Sequence, residues 1–266
     1  MKKEKIYVLI LFLCLSSLAY ANDLTIGFAI SYPTEFLDKN GSFTGLTIDI
    51  VREIQKRIGD KSKIEEYPWA RLYSIALREP DIVLFTASRN ADREDKFHWI
   101  SHITNRRSVF FAKKKSSLII NSIESAKNVE KIGVMRYGNR EKYLQEHGFS
   151  NLYSITTEKQ ALGMLLLNRI DLIFMSMIEA ATLAKNNGIS FDEIEPKFVV
   201  YSNDSYIIMS KNNTSIETVN KWKNAAQSIK DDGTFEKIGR KWVNIIQKEY
   251  GMETKVENGV FYFWND

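Results

Sequence analysis

The segment Asp81-Ile82-Val83-Leu84-Phe85-Thr86-Ala87-Ser88-Arg89-Asn90-Ala91-Asp92-Arg93 joins an apolar run to a cluster of polar donors. The run is short and rich in β-branched and aromatic residues, which predicts a buried strand. Ligands of open α/β sheets bind just beyond the carboxyl ends of strands, and that is where Thr86, Ser88 and Arg93 fall. Thr86 and Ser88 offer hydroxyl donors, and Arg93 a planar fork that matches a carboxylate. A short helix starting at Ala91 would add backbone N–H groups. A second reading is open at this point, in which Arg93 pairs with Glu94, Asp95 or another surface acid.

Outward from this segment the chain alternates strand and helix. Residues 24–30 alternate in polarity as a strand does, and Asp38-Lys39-Asn40-Gly41 is a turn sequence. Leu46, Ile50, Ile54 and Ile58 recur every four residues ahead of Gly59, which predicts an amphipathic helix with a glycine cap. A strand over 63–67 and a helix over 69–78, opened by Pro68, complete β-α-β-α-β. The pattern restarts downstream. Strands are expected at 109–112, 131–135 and 171–175, with helices at 139–147, 157–168 and 178–186. A strand at 206–209 and helices at 216–230 and 235–247 follow. The aromatic tail 252–266 fits either an edge strand or a docked end.

The N-terminus reads separately. Lys2, Lys3 and Lys5, the apolar run 6–18 and Ala19-Tyr20-Ala21 have the layout of a secretory signal peptide over 1–21. The run is shorter than the ~20 apolar residues that a membrane span needs. Of 37 basic and 33 acidic residues, three lysines and one glutamate leave with it, so 34 against 32 remain, a net +2. The only cysteine, Cys14, leaves as well. An exported chain without disulfides relies on its core, and 44% hydrophobic residues supply one. The expected location is the periplasm, and so weak a charge gives no reason to expect nucleic acid as a partner. His98 and His102 have metal-ligand spacing on a helix, but Trp99 and Ile100 make that segment partly buried, and no metal is expected. Gly133 to Gly138 lacks the Lys-Ser/Thr of a nucleotide loop, and no cofactor is expected.

Several segments occur in a familiar order. They are Leu24-Thr25-Ile26-Gly27, the stretch 38–50, and Thr86-x-Ser88-x4-Arg93 followed by Phe97-x-Trp99-Ile100. Leu167 to Phe174 and Asp232 to Trp242 complete the set. Through them the chain, over roughly 23–247, resembles the family 3 extracellular solute-binding proteins of the polar-amino-acid type, which serve ABC transporters. The resemblance implies an α/β, two-lobed periplasmic binding protein of type II with a hinge of two crossing segments. Lobe one would comprise 22–105 and 205–266, and lobe two 106–204. It implies a monomer that binds a small molecule by closure of the lobes and delivers it to a membrane permease. Arg93 falls on the family's α-carboxylate arginine, with Thr86 and Ser88 beside it. Tyr32 or Phe36 would cover the ligand, unless both are core residues.

Three departures bear on the ligand. Amino-acid binders of this family carry an acid for the α-ammonium where Ser176 stands, and Glu179 one turn on, or Glu35, is left to substitute. The second-lobe loop reads Arg136-Tyr137-Gly138-Asn139. Pro68-Trp69-Ala70-Arg71 is not a standard feature, and Trp69 either stacks on a ligand or packs on lobe one. A buried ammonium without a partner costs several kcal/mol. Arg71, Arg89, Arg93 and Arg136 could instead converge on a ligand with extra negative charge, so the expected ligand is a small carboxylate, an amino acid or a related organic acid. A periplasmic sensory module and a dehydratase-type enzyme, with Glu179 or Glu35 as acid or base, are the competing functions.

Overall fold

The computed structural model describes residues 24–136, 139–156 and 158–265. The leader expected at 1–21, Tyr137 and Gly138 of the second-lobe loop, and Thr157 lie outside the described residues. β1 (Thr25–Phe28) is followed by the hairpin of β2 (Phe36–Leu37) and β3 (Phe43–Thr44), turned at Asp38 to Ser42. Helix α1 (Leu46–Ile58) buries Leu46, Ile50, Val51 and Ile54 and ends on Gly59 at φ 70°, the left-handed region that glycine occupies without penalty. β4 (Ile64–Glu66), α2 (Trp69–Ala76), β5 (Ile82–Ser88) and the single turn α3 (Ala91–Glu94) follow. β1 lies between β4 and β5, parallel to both.

Two strands are much longer than the sequence suggested. β6 (Phe97–Lys113) and β10 (Ile194–Ser210) each run 17 residues and pair antiparallel along their whole length. The runs 109–112 and 206–209 are only one end of each. Between them lie β7 (Ile132–Met135), α4 (Asn139–Glu146), β8 (Leu152–Ile155), α5 (Glu158–Leu166), β9 (Leu172–Ser176) and α6 (Met177–Asn186). The chain ends with α7 (Ile216–Asp231), α8 (Thr234–Tyr250), β11 (Lys255–Glu257) and β12 (Val260–Tyr262). The aromatic tail is therefore a hairpin, and it docks because β12 adds parallel to β6 at Thr104 and Asn105.

The strand order β4-β1-β5-β10-β6-β9-β7-β8 divides into two halves that share the long pair. β5 meets β10 over Ser205 to Met209, and β9 meets β6 over Ser108 to Phe111. Each half buries its own apolar clusters. Ile26, Phe28, Val83, Phe85 and Trp222 lie under α1, α7 and α8, and Leu84, Phe97 and Ile208 under α2. In the other half Val109, Ile173 and Met175 pack on α5 and α6, and Phe110, Ile132 and Phe174 on the opposite face. Ile178 and Ala181 of α6 also reach the first of these clusters, so the halves touch through apolar contact.

His98 and His102 stand on β6, which is a strand and not a helix. Four residues along a strand span ~13 Å, too far to share one ion. Among the described residues no group of three or more His, Cys, Asp or Glu side chains is placed to hold a metal.

Candidate functional site

The carboxyl ends of β5 and β9 approach the long strand pair from opposite sides. Ser88 of β5 is in register with Ser205, which faces Thr104 on β6, while Ser176 of β9 faces Ser108 on β6. Thr104 and Ser108 are four residues apart, ~13 Å along the strand. The stretch between them, Asn105-Arg106-Arg107, and the opposing Ser202-Asn203-Asp204 are polar where the flanks are apolar.

On the first half Thr86 sits at φ 60°, a conformation rare for a β-branched residue and costing ~1–3 kcal/mol. Its hydroxyl donates to Glu35 Oε1 and lies 3.5 Å from Thr47 Oγ1. Glu35 is fully buried. Burial pushes its carboxyl up, while the hydroxyls of Thr86, Thr34 and Thr47 and the charge of Arg106 pull against that shift. Gly45 brings these groups together. A Cβ there would stand 2.0 Å from the Thr34 carbonyl, and its absence lets Leu46 and Thr47 donate their N–H groups to Pro33 and Thr34.

Arg93 is held by the local sequence. Asn90 caps α3 by accepting from the Arg93 N–H, and the Arg93 guanidinium donates to the Ser88 carbonyl at 2.9 Å. It lies over the rings of Trp69 and Tyr73, 5.4 and 5.2 Å from their centroids. Among the described residues it meets no carboxylate within salt-bridge distance. Glu94, one of its possible partners, is taken by Arg89, which lies over Trp99 and Tyr206. Thr86, Ser88, Arg93 and Trp69 thus share one edge of the first half.

The other named residues are placed differently. Tyr32 packs on Phe36 and Tyr250 and donates to Glu249, and Phe36 lies edge-on to Trp242, so both rings lean on α8. Burial and then the neighbouring Tyr250 push the Tyr32 hydroxyl well above its ordinary range. Arg71 is exposed and lies over Tyr67, 5.8 Å from its centroid, and Arg136 is exposed at the end of β7. Arg89 is occupied by Glu94.

On the second half Ser176 caps α6 in a capping box: its hydroxyl accepts from the Glu179 N–H, and Glu179 accepts from the Ser176 N–H. Arg140 lies 2.6 Å from Glu179 Oε2. Burial opposes ionisation of Glu179, yet the Arg140 guanidinium, the Ser176 N–H and the more distant Arg106 outweigh it and hold the carboxyl at about 2. Arg106 stands between the halves. It donates to Ser31 Oγ at 3.2 Å and Thr34 Oγ1 at 2.8 Å, and it feels the charges of both Glu35 and Glu179. Arg106, Arg140, Thr47 and Tyr73 were not singled out from the sequence. Of these only Arg106 carries a signal, the polar break in the middle of the two long strands.

A twisted α/β sheet in two halves, joined by a pair of crossing strands with polar groups gathered where the halves meet, defines a binding-protein architecture. Residues 24–245 match the bacterial extracellular solute-binding proteins, family 3, and the chain belongs to that family. It is similar to the L-cystine-binding protein TcyA of Bacillus subtilis (strain 168), 26% identical over 228 residues that cover 82% of this chain and 80% of the relative. Among solved structures, a histidine kinase sensor domain with similarity to periplasmic binding proteins superposes with a TM-score of 0.69 at 20% identity, covering 84% of this chain and 96% of that one. An ancestral arginine-binding protein bound to arginine gives 0.64 at 21% identity, covering 82% and 97%. These two likenesses establish the periplasmic-binding-protein fold.

Proposed function

We propose that the protein is a periplasmic solute-binding protein that captures a small carboxylate between two lobes and presents it to the permease of an ABC transporter. The lobes are 22–105 with 205–266, and 106–204, and their closure is a hinge motion of the crossing strands near Asn105 and Asp204, which pair in register. The carboxylate is held by Arg93 together with Thr86 and Ser88, and Trp69 forms the wall beside it. The observation that carries this reading is the Arg93 guanidinium, oriented by Asn90 and the Ser88 carbonyl and stacked on two rings, with no carboxylate of its own among the described residues. Export through the leader at 1–21, action as a monomer and the absence of catalysis belong to the same proposal.

The experiment is a thermal-shift panel of amino acids and small organic acids on the exported chain. A ligand at 100 times its Kd adds ~2.7 kcal/mol of stability, so even modest binders register. A shift produced by carboxylates and absent for their primary amides supports the reading. Equal shifts from acid and amide contradict it, and turnover of a bound acid would favour the enzyme instead.

A further inference from the structure

Strand β6 carries β10 along one edge for its whole length, so its other strand partners share the opposite edge. In the second half that edge is taken by β9, from Ser108 to Phe111. In the first half it is taken by β12, at Thr104 and Asn105. The Phe263 N–H, just past β12, donates to the Asn105 carbonyl at 3.1 Å. Only Arg106 and Arg107 lie between the two attachments. A strand bends most easily where one ladder rather than two must flex, so the C-terminal hairpin narrows the bendable stretch of β6 to these two residues. Residues 24–245 make the family match, and the hairpin lies beyond them.

The tail also reaches across this stretch with a side chain. Asn105 and Arg107 project from the same face of β6, as residues two apart on a strand do. Trp264 meets both: its indole N–H donates to Asn105 Oδ1 at 2.8 Å, and the Arg107 guanidinium lies 3.5 Å from its ring centroid. Asn105 Nδ2 donates in turn to Asp204 Oδ1 at 2.8 Å, which ties the indole to both crossing strands. Phe261 and Phe263 have no exposed surface and anchor the tail in the core of the first half, while Arg107 belongs to the second. We infer that the C-terminal hairpin braces the hinge, with Trp264 as a positioning residue that limits how far the lobes swing. A limited swing leaves less freedom to lose when the lobes close, so the brace favours capture of a ligand. This rests on the hinge proposed above near Asn105 and Asp204.

Double electron–electron resonance on the ligand-free protein reads the separation of the lobes directly. Cys14, the only cysteine, is replaced by serine, and nitroxide labels are attached at Arg52→Cys on α1 and Gln145→Cys on α4, both exposed positions. Trp264→Ala is expected to widen the distance distribution by about half or more, because the tie between the two sides of the hinge is lost. Trp264→Phe keeps a ring beside Arg107 without the N–H and is expected to widen it less. Ser202→Gly combined with Asn203→Gly is the hinge control. It frees the backbone opposite Arg107 and Arg106 and leaves the contacts of Trp264 in place. Widening by the glycines and by Trp264→Ala supports the brace. Widening by the glycines alone, even if Trp264→Ala lowers the melting temperature, means that the tail merely packs, which overturns the brace and leaves the hinge standing. No widening by either overturns both.

Discussion

The two edges that meet across the long strands handle charge in opposite ways. On the first half Arg93 is positioned by a cap and a carbonyl, and its guanidinium lies on aromatic rings. On the second half Glu179 is engaged through Oε2 by its own capping box and by Arg140. The first edge offers charge to a visitor, while the second consumes its charge in holding α6 at the end of β9. Sequence position alone does not separate the two cases. Either residue is a charged group just past a buried strand, and only the partners decide whether it is available.

The contrast can be broken from the open side. Arg93→Ala should weaken carboxylate binding by about 100-fold, the loss expected when one partner of a desolvated charge pair is removed. Its melting temperature should change by only a few degrees, because Arg93 makes one hydrogen bond and two ring contacts. Calorimetry and a melting scan read the two effects separately.

The buried link between the edges should show the next largest effect, this time on stability. Glu35→Ala removes the acceptor of the Thr86 hydroxyl at a strained backbone position and the charge facing Arg106. A loss of about 3 kcal/mol is expected in urea unfolding, with Glu35→Gln costing clearly less because its amide oxygen keeps the acceptor.

The closed side is best probed by pH. Glu179 titrates near 2 in the folded chain against an ordinary value of 4.5, so its stabilisation is present above about 4.5. That contribution drains away as pH falls from there towards 2. Glu179→Gln should flatten the acid limb of the stability profile over this range and cost about 1 kcal/mol at neutral pH through the weakened cap and ion pair. An unchanged acid limb would remove Glu179 from this role.

The smallest effect belongs to the exposed tie between the halves. Lys185 of α6 lies 2.9 Å from Glu249 of α8 and over Tyr250, with both charged groups partly in solvent. Lys185→Ala should cost less than about 1 kcal/mol, and 0.5 M salt should erase most of the difference.

Much of the scaffold was legible because local signals agreed. Leu46 to Ile58 combined a four-residue apolar spacing with a terminal glycine, and α1 occupies that span. The run at 81–86 became β5, extended to Ser88, and 171–175 became β9, shifted by one residue. The long strands were not legible along their length. Their middles, 104–108 and 202–205, carry Thr, Asn, Arg, Ser and Asp, whose polarity breaks the period-two signal where the two halves meet. The tail resisted for a related reason: Phe261 and Phe263 are buried by pairing with β6, a partner far away in sequence. Of the proposed site, Thr86, Ser88 and Arg93 drew notice from their place after β5, and Trp69 from the Pro68-Trp69 start of α2. Arg106 and Arg140 did not, because their importance comes from distant acids. Nor did sequence distance show that Tyr32 and Phe36 lean on α8, which lies some two hundred residues further on.

The most direct test of the open edge is a crystal structure of the protein with a small carboxylate that raises its melting temperature. The account predicts the carboxylate oxygens within hydrogen-bond reach of the Arg93 guanidinium and the Thr86–Ser88 backbone, with Trp69 beside the ligand and the Glu179–Arg140 pair intact. A carboxylate seated on Arg106 or Arg140, with Arg93 untouched on the Ser88 carbonyl, would contradict it.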